Sequence, residues 1–352
     1  MKLFLAKTTL VLLSTIIALG LLEFGLRFLG PPPASAPMIP DSVLHHVKIR
    51  NFTFRSYSPN DEFAPFIIYW DGRGLVADPE KKQIFDPSRH TRKIALLGDS
   101  FTEASQVPYA NSFAGLLNQN AQSGVFFFNW GMAYCGPVIY YVRWKYDIKQ
   151  THPEHVFLEL YENNIGNDEV FSKQTKFDAD GLPIKVTAKM EPFLNWLRRS
   201  SLFRFARFAF LKGYFQIYPQ RDATILNAGD FGELRPDISE LTARMILALK
   251  KEIEASGAKL TILAVPSRRA DLFGDPADCY PTFASKVATW CHDHEIDYID
   301  LEKPFQEWRH NNGNAKLYFK RDIHWTAAAH RLVAEAIMAR YPQYFSSAQN
   351  KK

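Results

Sequence analysis

Short apolar segments alternate with amphipathic ones along most of the chain after residue 92. The apolar segments, which predict buried strands, lie at 93–98, 125–129, 155–161, 259–265 and 296–301. Helices are predicted between and after them, at 112–120, 138–150, 241–253, 283–294 and 326–340. Strands that alternate with helices are typical of a parallel sheet covered on both faces. Ligands of such sheets bind at the carboxyl ends of the strands.

The longest apolar segment is at the N-terminus. Residues 8–22 carry no charge. Extended to Leu29 as a helix, the segment reaches about 33 Å, which is enough to cross the hydrocarbon core of a bilayer. Glu23 and Arg27 are four residues apart, so they share one helical face and can pair there. The sequence therefore predicts a transmembrane helix.

This segment has a second interpretation. Lys2 and Lys7 give it the basic start of a cleaved signal peptide, but no clear small-x-small cleavage site precedes Pro31. A retained signal anchor over residues 1–30 is therefore the favoured prediction. The basic start favours a cytoplasmic N-terminus, although Arg27 weakens the charge argument. This orientation predicts a single-pass membrane protein with its main domain on the extracytoplasmic, periplasmic side.

The rest of the chain divides into a linker with an elaboration and a main domain. Residues 31–92 begin with a proline-rich linker, PPPASAPMIP, and continue with strand-like pieces that we expect to pack on the main domain. The main domain is predicted over 93–345. A long departure from strand–helix alternation, at about 166–237, predicts an insertion beside the active edge of the sheet.

One part of this insertion is basic. Residues 193–215 contain no acidic residue and five basic ones, Arg198, Arg199, Arg204, Arg207 and Lys212. One interpretation is a helix that lies on an anionic membrane or polymer. The favoured interpretation is a packed helix with a solvated basic edge.

Composition narrows the class of protein. Apolar residues make up 47% of the 352 residues and charged residues 22%, which is typical of a globular chain and argues against disorder. The formal charge of +5 is mild, so nucleic-acid binding is disfavoured. Three cysteines are too few for a disulfide scaffold and match no zinc spacing. Cys279 and Cys291 either form a disulfide or remain free thiols, and Cys135 is a poor nucleophile candidate because no histidine adjoins it.

The candidate nucleophile is Ser100, in the sequence Gly98-Asp99-Ser100 at the end of the first predicted parallel strand. A serine at this place sits where α/β folds put reactive groups, and its backbone N–H can point at an oxyanion. Serine needs a base to act as a nucleophile. Without one, the same residues form an ordinary turn with an N-capping side chain.

The candidate base is His324, which directly precedes the last predicted helix. Most histidines in such a place are capping or core residues. Asp322 changes this interpretation, because a carboxylate two residues away can hold the imidazole by its other ring nitrogen. The chain order Ser, Asp, His is one accepted order for a catalytic triad.

These segments resemble the SGNH, or GDSL-type, hydrolases. GDSFTEASQVPYANSFAGLL is similar to their first sequence block, and DIHWTAAAH is similar to their last. The Asp-x-His-Trp form is closest to membrane-anchored members and to polysaccharide O-acetyltransferase relatives. The resemblance implies a three-layer α/β/α sandwich with a five-stranded parallel sheet. It also implies Ser100 as the nucleophile, His324 as the base and Asp322 as its partner.

The resemblance further implies an oxyanion hole. Besides the amide of Ser100, an asparagine after the third strand should donate, and Asn163 takes that place, with Asn164 and Asn167 as alternatives. The second family block ends in a glycine whose backbone N–H donates, and here Tyr134 stands at that position. Gly136 is the alternative donor.

These residues predict a membrane-anchored serine esterase that acts on an acylated small molecule or polysaccharide. One alternative is an O-acyltransferase that modifies a cell-envelope polysaccharide with the help of a membrane acyl-transfer protein. The other is a non-catalytic glycan-binding protein. No cofactor and no catalytic metal are predicted, because no histidine set has metal-ligand spacing.

Overall fold

A computed structural model of the chain describes residues 2–34, 37–82, 86–188, 192–219, 237–268, 281–313 and 315–345. Its helices are α1 (Lys2–Leu26), α2 (Ser100–Glu103), α3 (Phe113–Asn120), α4 (Pro137–Arg143), α5 (Glu162–Ser172), α6 (Pro192–Arg199), α7 (Ser201–Ile217), α8 (Glu240–Ala255), α9 (Phe283–Asp293), α10 (Glu302–Asn312) and α11 (Ala327–Arg340). Its strands are β1 (Met38–Pro40), β2 (His46–Lys48), β3 (Phe52–Ser56), β4 (Phe66–Trp70), β5 (Val76–Ala77), β6 (Arg92–Leu97), β7 (Val125–Asn129), β8 (His155–Leu160), β9 (Thr175–Phe177), β10 (Pro183–Val186), β11 (Lys259–Ala264) and β12 (Asp297–Ile299).

The central sheet has the order β12-β11-β8-β6-β7-β5-β4-β3. Its first five strands are parallel, as the alternating pattern predicts. β6 is the fourth of these five strands, with β7 on one side and β8 on the other. Residues that follow β6, β7 and β8 therefore meet at one edge of the sheet.

The remaining three strands extend the sheet beyond the predicted five. β5 pairs antiparallel with β7 through Val76 and Asn129, and β4 and β3 follow as an antiparallel pair. Their side chains Phe54, Ile68 and Trp70 form a small core of their own. β3, β4 and β5 of the predicted elaboration thus belong to the main sheet, whereas β1 and β2 pair with each other in a separate sheet. The predicted limits 1–30, 31–92 and 93–345 stay predictions.

Helices cover both faces of the parallel strands, which confirms the three-layer α/β/α sandwich. Alternate residues of β6 point to opposite layers, because side chains in a strand alternate between faces. Ala95 and Leu97 pack with α4, α5, α8 and α9, whereas Ile94 and Leu96 pack with α3 and α11. The buried layers on either side hold the ends of the parallel strands in fixed positions.

The region predicted as an insertion starts inside α5 and contains the hairpin of β9 and β10 followed by α6 and α7. Residues 220–236 of that region lie outside the described residues. α7 packs against α1, far away in sequence. In the described part of the chain, one helical stretch is long and apolar enough to cross a membrane, Phe4–Leu29, and none of its most apolar window is buried.

Candidate active site

Ser100 begins α2 three residues after Leu97, the last residue of β6. The carboxylate of Asp99 caps this short helix by accepting a hydrogen bond from the Phe101 N–H at 2.9 Å. Ala104 closes it with a φ of 59°, the left-handed conformation that glycine adopts most easily. The turn leaves Ser100 only 8% exposed, at the carboxyl edge of the sheet.

His324 lies against Ser100 although 224 positions separate them in the chain. The Ser100 hydroxyl and the His324 Nε2 are 2.7 Å apart. On its other side, His324 Nδ1 is hydrogen-bonded to Asp322 Oδ1, which also accepts the His324 backbone N–H at 3.0 Å. A carboxylate only accepts hydrogen bonds, so Nδ1 carries the proton and Nε2 is free to accept from the serine. The three residues predicted to form the triad are therefore in contact.

The contact between His324 and Asp322 shifts the pKa values of both residues. Burial alone lowers the pKa of His324, but the Asp322 carboxylate and its hydrogen bond outweigh burial and raise that pKa above its usual value. Burial raises the pKa of Asp322, but the paired imidazole outweighs it and holds that pKa below the usual range. Asp322 is thus ionised and ready to stabilise a protonated His324.

The three asparagines after β8 have different surroundings. Asn164 donates to Asp99 Oδ2 at 2.9 Å and to the Cys135 carbonyl at 3.0 Å, and Asn167 donates to the same carbonyl at 3.1 Å. Both amides are therefore occupied in joining α5 to neighbouring loops. Asn163 is 2% exposed, and its Oδ1 has no hydrogen-bond partner among the described residues. Its place in the first turn of α5 puts it at the same sheet edge as Ser100.

The loop after β7 contains the tyrosine that replaces the expected glycine. Tyr134 has a φ of 60°, in the left-handed region that favours glycine, so its backbone keeps the conformation that glycine would have. Gly136 is required for a different reason. A Cβ atom there would lie 2.6 Å from the Asp168 carboxylate and 2.7 Å from the Asn164 carbonyl. Gly136 thus serves close packing against α5.

Buried charged residues hold this loop in place, and sequence reasoning missed them. Lys48 on β2 donates to the Gly131 carbonyl, and its Nζ is 3.8 Å from the Glu103 carboxylate, which accepts the Ala133 N–H at 2.9 Å. Arg143 donates to the Trp130 carbonyl. Lys48 lies in the elaboration and belongs to no motif. Its charge within a strand-like segment was therefore the only sign in the sequence that it has a buried partner.

A further buried acid supports the nucleophile turn. Glu159 on β8 accepts the Asp99 N–H at 2.9 Å and the Thr102 hydroxyl at 3.2 Å. Burial and the neighbouring Asp99 raise the pKa of Glu159 well above its usual value. A glutamate inside an otherwise apolar strand was the sequence signal for this contact. Glu159 fixes the backbone on which Ser100 stands.

The other sequence expectations have plain outcomes. Trp325 is 1% exposed and packs edge-on against Phe101, under the last helix. Cys135 is fully buried, and burial raises its pKa, which argues against a nucleophilic role. Cys291 is a free buried thiol, whereas Cys279 lies outside the described residues. Within the ranges described, no group of three or more histidine, cysteine or acidic side chains has metal-binding geometry.

Comparison with known proteins finds a family for the last third of the chain. The family model of the SGNH hydrolase-like domain of the acetyltransferase AlgX matches residues 233–352, the part of the chain that holds Asp322 and His324. No curated protein matches the chain. Residues 233–352 thus match an SGNH hydrolase-like domain, which confirms the resemblance seen in the sequence. This class comprises serine hydrolases and acyltransferases that act on esters.

Solved structures with a similar course of the chain share little of its sequence. A catalytic mutant of Axe2, an acetylxylan esterase from Geobacillus stearothermophilus, is 14% identical with a TM-score of 0.44, covering 73% of this chain and 98% of its own. LAE5, an alpha/beta hydrolase from the metagenome of Lake Arreo, has the same identity, TM-score and coverage. A putative lipolytic protein of the G-D-S-L family from Desulfitobacterium hafniense is 15% identical with a TM-score of 0.39, covering 71% of this chain and 99% of its own.

Proposed function

We propose that the chain is a membrane-anchored serine enzyme that cleaves acyl esters through a covalent acyl-enzyme. The observation that carries this proposal is the 2.7 Å contact between Ser100 Oγ and His324 Nε2, with Asp322 on the other ring nitrogen. A serine hydroxyl aligned in this way with a base has its proton acceptor in place before substrate arrives.

In the first half-reaction, Ser100 Oγ bonds to the ester carbonyl carbon while His324 Nε2 takes the hydroxyl proton. The carbonyl oxygen becomes an oxyanion, to which the amides of Ser100 and Tyr134 and the side chain of Asn163 donate. Collapse of this intermediate breaks the bond to the alcohol, which leaves with the proton from His324. In the second half-reaction, water or a sugar hydroxyl attacks the acyl-enzyme by the same route and restores Ser100.

The nature of the acyl acceptor separates the two candidate activities. Hydrolysis is the simpler one, since it needs only water in the second half-reaction. Transfer to a polysaccharide hydroxyl is the second candidate, favoured by the match of the last third of the chain to the acetyltransferase AlgX domain. For either activity we propose an acylated carbohydrate as a partner of the site. A membrane protein that supplies acyl groups is proposed for transfer alone.

The experiment that tests the activity has two stages. We expect a fluorophosphonate probe to label the folded wild-type protein at Ser100. No labelling of folded protein would remove both enzymatic candidates and leave the glycan-binding alternative. Unlabelled enzyme is then offered 4-nitrophenyl acetate with increasing amounts of a xylo-oligosaccharide, and the products are separated by mass spectrometry. Acetylated sugar supports transfer, whereas free acetate alone at every sugar concentration supports hydrolysis.

Replacing Asn163 with alanine tests the proposed oxyanion donor. Because a side-chain donor acts mainly on the transition state, we expect kcat to fall about 10²–10³-fold with little change in KM. Asn167→Ala is the matched control, since it removes a neighbouring amide that bonds the Cys135 carbonyl. The control should lower the melting temperature but have only a small effect on kcat. An Asn163→Ala enzyme with wild-type kcat would exclude this donor.

The orientation in the membrane is also part of the proposal. Lys2 and Lys7 at the start of α1 favour a cytoplasmic N-terminus. The catalytic domain then lies on the extracytoplasmic side, where cell-envelope polysaccharides are found. The absence of a clear cleavage site before Pro31 supports a retained anchor over a signal peptide.

A further inference from the structure

Large apolar side chains are exposed mainly in two places in the described part of the chain. One is the helical stretch Phe4–Leu29, which passes the test for a membrane span. The other is the pair α6 and α7, which exposes Phe193, Leu194, Trp196, Phe210, Ile217 and Tyr218. Soluble surfaces rarely expose apolar side chains in such clusters, so this second surface calls for a partner.

The same pair of helices is basic. Arg198, Arg199 and Arg207 are exposed, and the sequence between 192 and 219 contains no acidic residue. The favoured interpretation of the sequence, a packed helix with a solvated basic edge, agrees with one side of α7. On that side Arg204, Leu211 and Phe215 are buried. That interpretation does not explain exposed rings such as Trp196, which is 65% exposed.

α7 is joined directly to the apolar helix. The Glu23 carboxylate of α1 accepts hydrogen bonds from the Ser200 hydroxyl at 2.8 Å, the Ser201 N–H at 3.0 Å and the Leu202 N–H at 2.8 Å. A carboxylate at a helix N-terminus satisfies unpaired N–H groups and the helix dipole. The end of α1 that leads into the main domain is therefore fixed to the start of α7.

We propose that α6 and α7 form an interfacial surface that binds the headgroup region of an anionic lipid bilayer. Aromatic and aliphatic side chains next to arginines are the composition of helices that lie in a membrane interface. Exposed arginines complement anionic lipid headgroups. Continuity with α1 selects a bilayer over a soluble partner, because the helix proposed to span the membrane ends at this surface. The inference thus rests on the proposed membrane anchor.

This surface is connected to the triad through a short series of contacts. Phe208 of α7 packs edge-on against Tyr57, with ring centroids 4.7 Å apart, and Lys212 pairs with Asp61. Next to Asp61, Glu62 accepts the Arg321 N–H at 2.9 Å, and Arg321 adjoins Asp322. α7 therefore lies on the side of the molecule where Glu62 contacts the loop that carries His324. A bilayer in contact with α7 lies on that side. The site would receive an acyl donor or acceptor that resides at the membrane surface.

The test uses the full chain reconstituted into vesicles of phosphatidylcholine and phosphatidylglycerol, with the phosphatidylcholine either plain or brominated in its acyl chains. Bromine quenches tryptophans that enter the bilayer. We expect quenching of the wild-type protein to fall at least twofold in Trp196→Phe. Trp308→Phe, which removes a half-buried tryptophan of α10, should leave quenching unchanged.

Charge reversal tests the basic part of the surface. We expect the triple variant R198E/R199E/R207E to lose the Trp196 quenching. The control K173E/K176E/K303E, with the same change of charge at exposed positions elsewhere, should retain it. Equal quenching of wild-type and Trp196→Phe proteins overturns the proposal. A second outcome also overturns the proposal, in favour of a polymer site. In this outcome bromine does not quench Trp196, but an anionic polysaccharide shields Trp196 from quenching by aqueous iodide. Fluorophosphonate labelling of Ser100 in each variant reports separately on the proposed activity.

Discussion

Replacing Ser100 with alanine is expected to lower kcat for 4-nitrophenyl acetate by about 10⁶-fold. The variant loses the atom that forms the acyl-enzyme, so only the oxyanion donors and substrate binding remain to accelerate attack by water. The change should also abolish fluorophosphonate labelling, which is measured on the same samples. The His324 pair with Asp322 does not involve the Ser100 hydroxyl, so the fold should persist.

Ser105 provides the matched control for this experiment. It is a buried serine five positions further on, but its hydroxyl donates to Glu103 Oε1 instead of to a histidine. Ser105→Ala should keep fluorophosphonate labelling and retain most of the wild-type kcat. A Ser100→Ala protein that still forms a labelled adduct, or that keeps more than a thousandth of the wild-type rate, would contradict the assignment of Ser100.

Replacing Asp322 with asparagine is expected to lower kcat by about 10⁴-fold. Asparagine offers no negative charge to stabilise the protonated His324, and its amide can hold the imidazole in the wrong tautomer. The change should also move the pH dependence. Asp322 raises the pKa of His324, and the base must be neutral, so wild-type activity falls as the pH drops through this raised value. Without Asp322, burial acts to lower that pKa, so the acid limb of the residual activity should shift to lower pH.

Asp297 offers a control carboxylate for the pH experiment. Its hydrogen bonds to Tyr341 and Arg340 lie away from Ser100, and they hold its pKa below the usual value despite burial. Asp297→Asn should reduce stability to heat but leave the midpoint of the pH–rate profile unchanged. If Asp322→Asn also leaves that midpoint in place, another group sets the pKa of His324.

The parallel part of the fold was predictable because its signals are local. Each buried strand is a short apolar run, and each helix shows its own spacing, so the five parallel strands agree with prediction to within about two residues at their ends. The three antiparallel strands were not predictable in the same way. β5 spans only Val76–Ala77, too short for a period of two to appear, and its pairing with β7 is a long-range contact.

The candidate site likewise has one part that local sequence signals predict and one part that depends on long-range contacts. Ser100, Asp322 and His324 carry recognisable neighbours in sequence, and the fold brings them together. The choice among Asn163, Asn164 and Asn167 depended on contacts that no spacing reveals, such as the bond from Asn164 to Asp99. Lys48 is a stronger example, since its partners Gly131 and Glu103 lie in other parts of the chain.

The proline-rich segment after α1 has a mechanical consequence. Its backbone is bonded to β3, since the Arg55 N–H donates to the Pro32 carbonyl and the Ala34 N–H donates to the Arg55 carbonyl, each at 3.0 Å. Only Gly30 and Pro31 lie between Leu29 and the first of these bonded residues. A stem this short cannot act as a tether that sweeps a wide volume. With α1 as the proposed membrane anchor, the domain has almost no reach, so the proposed carbohydrate partner must come to the bilayer to be modified.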